Sequence, residues 1–140
     1  MPLWKIHHTP GLFADTEKAQ LASDITDYYE KVGLPRFYVV VIFAETAPAN
    51  LYIGGEQRPS VRVEIAHIAR HSDDSAGRRR ISQRISDILA PHVGRHEGLH
   101  WEFHIDETSE ELWRINGLVP PPGRSDAEKT WASTNRPLPY

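Results

Sequence analysis

The sequence predicts an α+β fold in which two consecutive β-α-β units form one four-stranded sheet with both helices on one face. Strand-like runs rich in β-branched and aromatic residues occur at 2–8, 36–43, 61–68 and 100–106. A segment with apolar residues at helical spacing separates the first two runs, and another separates the last two. Two strands joined by one helix lie parallel with a right-handed crossover, so the repeated order of strand, helix and strand predicts this architecture.

The first unit combines a strand at 2–8, a helix over about 15–32 and a strand at 36–43. Either Asp15 or Thr16 can cap this helix, and a glycine follows its end. Helical spacing predicts the buried stripe of the helix, formed by Leu21, Ile25, Tyr28 and Val32. The run at 36–43 is almost continuously apolar or aromatic, which is typical of a strand that is buried on both faces.

The second unit starts with an alternating strand at 61–68, whose apolar residues on one face are Val61, Val63 and Ile65. Its helix is predicted to begin at Asp74 or Ser75 and to end at about Leu89, before Pro91. The strands at 36–43 and 61–68 are too apolar for a bare sheet face. We therefore expect the face opposite the helices to be buried against other subunits.

The chain has 140 residues, which fits one domain, predicted at 1–123 with halves at about 2–45 and 60–106. The remaining segment, 124–140, is largely polar but carries two large aromatic side chains, Trp131 and Tyr140. We expect this C-terminal extension to pack on the domain or on a neighbouring subunit.

Composition excludes several classes of protein. The net charge of −3 gives no basic surface for nucleic acid, and a chain without cysteine has neither disulfides nor thiolate chemistry. No apolar run is long enough to span a membrane, and His7 and His8 interrupt the terminus where a signal peptide needs apolar residues. We predict a cytoplasmic protein with no nucleic-acid or membrane partner.

Pro2 is the residue with the clearest chemical potential, because it follows the initiator Met1. Removal of Met1 would leave Pro2 as a free secondary amine at the chain terminus. An ordinary α-amino group has a pKa of roughly 7.7–8, and burial lowers that pKa. Such an amine can act as a general base or, when protonated, as a general acid.

Met1-Pro2 followed by two β-α-β units resembles the tautomerase superfamily, and most of all its cis-3-chloroacrylic acid dehalogenase group. The resemblance extends over residues 2–123 and includes several short segments: Ile25-Thr26-Asp27, Phe43-x-Glu45, Ile53-Gly54-Gly55, Gln83-Arg84-Ile85, Trp101 and Pro120-x-Pro122-Gly123. It implies the tautomerase fold, a homotrimer, a catalytic N-terminal proline and no cofactor or metal. The implied substrate is a small carboxylic acid.

Only part of the dehalogenase site carries over to this chain. Pro2 matches the catalytic proline, and Arg70 stands where that group has the first of two arginines. The other positions differ: Tyr29 replaces a histidine, Asp73 the second arginine, Phe103 a tyrosine and Arg114 a glutamate. The resemblance therefore predicts the fold more specifically than the reaction.

Keto–enol tautomerisation of a small 2-keto or unsaturated carboxylic acid is the predicted reaction. Pro2 would transfer the proton, and Arg70 would bind the substrate carboxylate, with Arg114 as a second cation. Tyr29 could hydrogen-bond a substrate oxygen, although packing is an equal explanation for it. Phe103 and Trp113 would line the site, and Trp113 is a wall or core residue rather than a chemical group.

Two alternatives remain open. Hydrolytic dehalogenation or hydration needs a carboxylate that activates water, and with Arg114 at the glutamate position only Glu110, Glu111 or Asp106 could replace it. The four departures also fit a member that has lost catalysis and serves as a binding or assembly protein.

Two other patterns carry little functional weight. The pairs His67/His71 and His100/His104 have a spacing of four residues, but on a strand that spacing is too long to chelate a metal easily. The cluster Arg78-Arg79-Arg80 is typical of a solvated helix face or a subunit contact.

Overall fold

A four-stranded sheet forms the centre of the molecule, which a computed structural model describes over residues 1–140. Its strands are β1 (Pro2–His8), β2 (Val40–Glu45), β5 (Ser60–His67) and β6 (His100–Glu107), in the spatial order β2-β1-β5-β6. β1 and β2 are parallel, β5 and β6 are parallel, and β1 and β5 pair antiparallel at the centre. A short hairpin of β3 (Tyr52–Ile53) and β4 (Glu56–Gln57) lies outside this sheet. The predicted pair of β-α-β units in one sheet is confirmed.

Three helices accompany the sheet: α1 (Asp15–Lys31), α2 (Ser75–Val93) and α3 (Asp126–Thr134). Apolar side chains of α1 and α2, among them Leu21 and Leu89, join one buried core with Trp4 and Ile6 of the central strand. None of the helices has the length and hydrophobicity needed to cross a membrane.

Several predicted boundaries were wrong by a turn or less. The cap of α1 is Ala14, whose backbone N–H donates to the Glu17 side chain at 2.7 Å, rather than Asp15 or Thr16. Its buried stripe continues to Tyr29 instead of Tyr28, because 21, 25 and 29 are evenly spaced. Val32, which lies beyond the last turn, is exposed.

The segment after Pro35 also differs from the prediction. Residues Arg36–Tyr38 form a 3-10 turn, and β2 starts only at Val40. Arg36 bonds to Asp27 and Glu30 of α1, which holds the turn against the helix. The turn buries the Tyr38 side chain, which a continuous strand would not have directed to the same place.

The C-terminal extension packs on this turn through α3. The ring of Trp131 is almost fully buried, and its centroid lies 5.9 Å from Phe37 and 6.2 Å from Tyr38. The Phe37 backbone N–H donates to the side chain of Asn135 at 3.0 Å. These contacts bring α3 close to the start of β1.

The sheet face opposite the helices mixes apolar and charged residues. Val40 and Ile42 of β2 are exposed there, level with Leu3 and Lys5 of β1. On β5 and β6 the same face carries mostly charged and polar side chains: Arg62, Glu64, Glu102, His104 and Asp106. The expectation of a strongly apolar open face therefore applies to β2 and not to β5.

Candidate active site

Pro2 is buried at the start of β1, directly opposite His67 on β5. Met1 extends the chain by one residue, and its carbonyl accepts a hydrogen bond from the Ile68 backbone N–H at 3.1 Å. With Met1 present, the Pro2 nitrogen is an amide and cannot titrate. Removal of Met1 would free both this nitrogen and the Ile68 N–H at the same place.

Charged side chains from three parts of the chain act on the terminal amine. Burial lowers the pKa of the Met1 amine from about 8 to about 4. The negative charge of Glu110 raises this pKa, the positive charge of Arg70 lowers it, and Glu128 raises it to a smaller extent. An amine at this end of β1 is therefore held in its neutral, basic form at neutral pH.

A buried hydrogen-bond chain lies beneath the terminus. Trp4 Nε1–H donates to the Tyr29 hydroxyl at 3.1 Å, and the Tyr29 hydroxyl bonds to His67 Nε2 at 2.6 Å. The Tyr29 hydroxyl therefore links the indole of Trp4 to the imidazole of His67. Tyr29 thus contacts His67, the residue that pairs with Pro2, and not Pro2 itself.

His67 is held neutral at this position. Burial, and to a smaller extent the positive charge of the nearby terminal amine, lower the pKa of His67 from 6.5 to about 4. Burial also raises the pKa of the Tyr29 hydroxyl. Neither His67 nor Tyr29 carries a charge near pH 7. The two side chains therefore form a neutral, hydrogen-bonded pair beneath the terminal amine.

Arg70 forms a buried ion pair with the C-terminal extension. Its Nη1 and Nη2 donate to the two carboxylate oxygens of Glu128 at 3.3 and 2.9 Å, and Nη1 also donates to the Ala69 carbonyl at 2.8 Å. Glu128 accepts a further bond from the Arg124 backbone N–H at 2.6 Å. A side-chain carbon at Gly123 would come within 2.8 Å of Arg70 Nη1, so a larger residue there would displace the guanidinium.

Two polar atoms near this ion pair have no partner although they are buried: Arg70 Nε and the Tyr38 hydroxyl oxygen. Burial is the main cause that raises the pKa of Tyr38; the negative charge of Glu128 raises this pKa further, and the positive charge of Arg70 lowers it. The Tyr38 ring packs on Trp113, with centroids 4.8 Å apart. Unpaired buried polar groups are rare in folded proteins.

The remaining predicted site residues lie in different surroundings. Phe103 pairs with Val63 in the middle of the sheet and packs on the core. It is four residues along β6 from Glu107, the partner of His67 at the end where Pro2 lies. Four residues of strand correspond to about 13 Å. Arg114 is exposed and donates to the Trp113 carbonyl at 2.9 Å. The single chain thus brings Pro2, Arg70, Tyr29 and Trp113 to one end of the sheet and does not bring Phe103 there, whereas Arg114 follows Trp113 with its side chain exposed.

Sequence reasoning did not assign a place beside the terminus to four residues that lie around it: Tyr38, His67, Glu110 and Glu128. Glu110 was named only as one of three carboxylates that could activate water. His67 was considered only as half of a metal pair, yet its register opposite Pro2 could have been proposed from the antiparallel pairing of the central strands. Glu128 is 58 residues from Arg70 in sequence, and no local pattern joins them. No group of three or more His, Asp or Glu side chains is placed to hold a metal ion.

The chain matches, over residues 1–136, the family described as "Putative oxalocrotonate tautomerase enzyme". It belongs to this family, within the tautomerase superfamily that the terminal proline and the doubled β-α-β units indicate. A comparison with curated proteins finds no match.

Solved structures support the same assignment. RhCC from Rhodococcus jostii RHA1 is 42% identical with a TM-score of 0.93, and the match covers 99% of each chain. A protein of the thermophilic fungus Aspergillus fumigatus, described as a probable enzyme, is 40% identical with a TM-score of 0.93, covering 100% of this chain and 98% of its own. N1, a member of the cis-3-chloroacrylic acid dehalogenase family, shares the fold at 21% identity and a TM-score of 0.74, covering 98% and 92%.

Proposed function

We propose that this protein, after removal of Met1, is a cofactor-independent tautomerase in which the Pro2 amine moves the proton. The observation that carries the proposal is the burial of the chain terminus at one end of the sheet, which lowers the amine pKa to about 4 at Met1. Burial would act in the same direction on Pro2, which is one residue further into the sheet. A neutral amine is the form that can accept a proton.

The proposed reaction isomerises a small enolisable carbonyl compound. In the direction from enol to ketone, the enol O–H gives its proton to the Pro2 amine, and the resulting ammonium delivers a proton to the neighbouring carbon. The carbon–carbon double bond becomes a single bond while the carbon–oxygen bond becomes a carbonyl. Ile68 N–H, free after Met1 leaves, is placed to hydrogen-bond the oxygen on which negative charge develops.

The predicted 2-keto or unsaturated carboxylic acid remains one form of such a substrate. It requires a cation, and Arg70 is the side chain at hand, although Glu128 occupies both of its terminal nitrogens. Arg114 does not supply the charge in the single chain, because it is exposed and bonds to backbone carbonyls. Tyr29 supports His67 rather than the substrate itself.

The test is ketonisation of phenylpyruvate enol and of its methyl ester by the wild type and by Pro2→Ala. We expect at least one substrate to lose about 10²- to 10⁴-fold in kcat/KM with Pro2→Ala, since general acid–base catalysis contributes that much. Lys129→Ala, a change at an exposed residue of α3, is the matched control. Equal rates for the wild type and Pro2→Ala on both substrates, or an intact mass that retains Met1, would contradict the proposal and favour a binding or assembly role.

A second reaction, hydration of an unsaturated acid, is favoured by Glu110. This carboxylate is the strongest charge acting on the terminal amine, and it forms no ion pair. It could take a proton from water while hydroxide adds to one alkene carbon, and pass that proton through the Pro2 amine to the other alkene carbon. Glu110→Gln separates the two reactions, because it should abolish hydration and leave ketonisation within a few-fold of the wild type.

A further inference from the structure

The charges at the proposed site do not favour an anionic substrate. Arg70 and Glu128 form a neutral pair whose side chains are 21% and 3% exposed. Glu110 adds an unpaired negative charge on the side of the terminal amine. With a neutral amine, these three side chains together carry one net negative charge, so an incoming carboxylate meets repulsion and no unpaired cation among them.

Glu128 is firmly held in its position. Besides the two bonds from Arg70, it accepts a bond from the Arg124 N–H, and its own N–H donates to the Ser125 side chain at 3.2 Å. The helix that carries it is anchored by the buried Trp131. A substrate carboxylate could reach the terminal nitrogens of Arg70 only by displacing a buried carboxylate and leaving it unpaired, which is strongly unfavourable.

The groups left without a partner at the site are hydrogen-bond donors. Arg70 Nε and the Tyr38 hydroxyl are buried without partners, and the Ile68 N–H loses its partner when Met1 is removed. The Tyr38 ring is enclosed between Trp113 and Trp131, at 4.8 and 6.2 Å. The Ile68 N–H is therefore the donor placed to meet a ligand, and a neutral N–H suits a carbonyl or enol oxygen.

We infer that the site takes an uncharged enolisable carbonyl compound, and that Glu128 determines this specificity by occupying Arg70. The inference rests on the proposed tautomerase function and refines its substrate class. Glu128 acts through Arg70 and is therefore a positioning residue. The C-terminal extension thus selects the substrate in addition to covering the core.

The experiment compares phenylpyruvate enol with its methyl ester enol, two substrates with one skeleton that differ in charge. Each kcat/KM is divided by the uncatalysed rate of the same compound, so that intrinsic reactivity cancels. For the wild type we expect this corrected value to be at least 10-fold higher for the ester. Glu128→Gln should raise the corrected kcat/KM of the acid relative to that of the ester by 10-fold or more. The gain should come from a lower KM for the acid, because the positive charge of Arg70 is no longer neutralised.

Asp126→Asn is the matched control, since it makes the same carboxylate-to-amide change at an exposed residue of the same helix. It should leave the ratio of acid to ester unchanged. The double variant Arg70→Gln/Glu128→Gln keeps the pair at positions 70 and 128 neutral and should keep the preference for the ester, which provides a second test if Glu128→Gln alone does not fold.

Three results would overturn the inference: a wild type that prefers the acid, a Glu128→Gln variant with an unchanged ratio, or a double variant that gains preference for the acid. A proline-dependent enzyme that prefers the acid would refute the substrate class and leave the tautomerase function intact. Equal rates for the wild type and Pro2→Ala on both compounds would refute the function itself.

Discussion

His67 shows at the residue scale how burial beside the terminus controls charge. In the folded chain its pKa is lowered to about 4, mainly by burial, against an ordinary value of about 6.5. Between these values the unfolded chain binds the proton and the folded chain does not. The contribution of neutral His67 to the free energy of unfolding is therefore complete above about pH 6.5 and is lost as the pH falls toward 4.

We predict that lowering the pH from 6.5 to 4 reduces the free energy of unfolding of the wild type by up to about 3 kcal/mol through protonation of His67 in the unfolded chain. His67→Gln should be less stable at pH 7 because Tyr29 loses its partner, and it should show a flatter dependence on pH. Urea unfolding at several pH values measures both effects. His96→Gln, a change in the loop after α2, controls for the removal of a histidine elsewhere. Parallel pH profiles for the wild type and His67→Gln would refute the assignment.

The residues of the site differ in how far the sequence could reveal them. Pro2 could be predicted because its chemistry follows from being second in the chain, and Arg70 because it stands at a family position. The partner of Arg70 could not be predicted, since Glu128 approaches it only after α3 docks. The same limit applies to Tyr38, whose burial depends on the turn at Arg36–Tyr38 and on contacts with Trp131.

At the scale of elements, periodicity predicted which segments are helices and strands, and tertiary contacts decided where they end. α2 continues through Pro91 to Val93 although proline lacks the N–H that the helix would use. The missing hydrogen bond is close to the end of the helix, and Val93 is fully buried. The burial of Val93 therefore outweighs the loss of this one hydrogen bond. In the same way, contacts with α1 and α3 replace the first part of the predicted strand at 36–43 by a turn.

α3 is the element that links stability and the site, because it carries both Trp131 and Glu128. We predict that Trp131→Ala destabilises the protein by about 3–5 kcal/mol, since it removes a large buried side chain. It should also shift the ratio of acid to ester toward the acid, because a loosened α3 releases Arg70. Thermal unfolding and the two-substrate assay measure these effects, with Lys129→Ala as the exposed control on the same helix. A destabilised variant that keeps the wild-type ratio would show that α3 supports the fold alone.

At the scale of the whole molecule, the open face of the sheet is the surface that a single chain leaves uncovered. Its charged side chains pair with one another across the strands, for example Arg62 with Glu102 at 3.5 Å. Its β2 edge, by contrast, exposes Val40 and Ile42, at 38% and 45%. Exposed β-branched residues in a row on a strand are typical of a surface that another subunit covers. We therefore propose that the homotrimer predicted from the sequence uses this edge.

The proposal predicts that Ile42→Asp converts a trimer into monomers without unfolding the chain, because a buried aspartate would be costly in the interface but is solvated in the single chain. Val119→Asp makes the same change at a residue that is 51% exposed but lies outside the sheet, so its trimer should persist. Light scattering over a range of concentrations gives the mass, and circular dichroism checks the fold. A monomeric wild type, or an Ile42→Asp variant that keeps the trimer mass, would place the subunit contact elsewhere. Because Pro2, His67 and Glu128 all lie within one chain, the monomer should keep their contacts, and any loss of activity on dissociation would identify residues supplied by a neighbouring subunit.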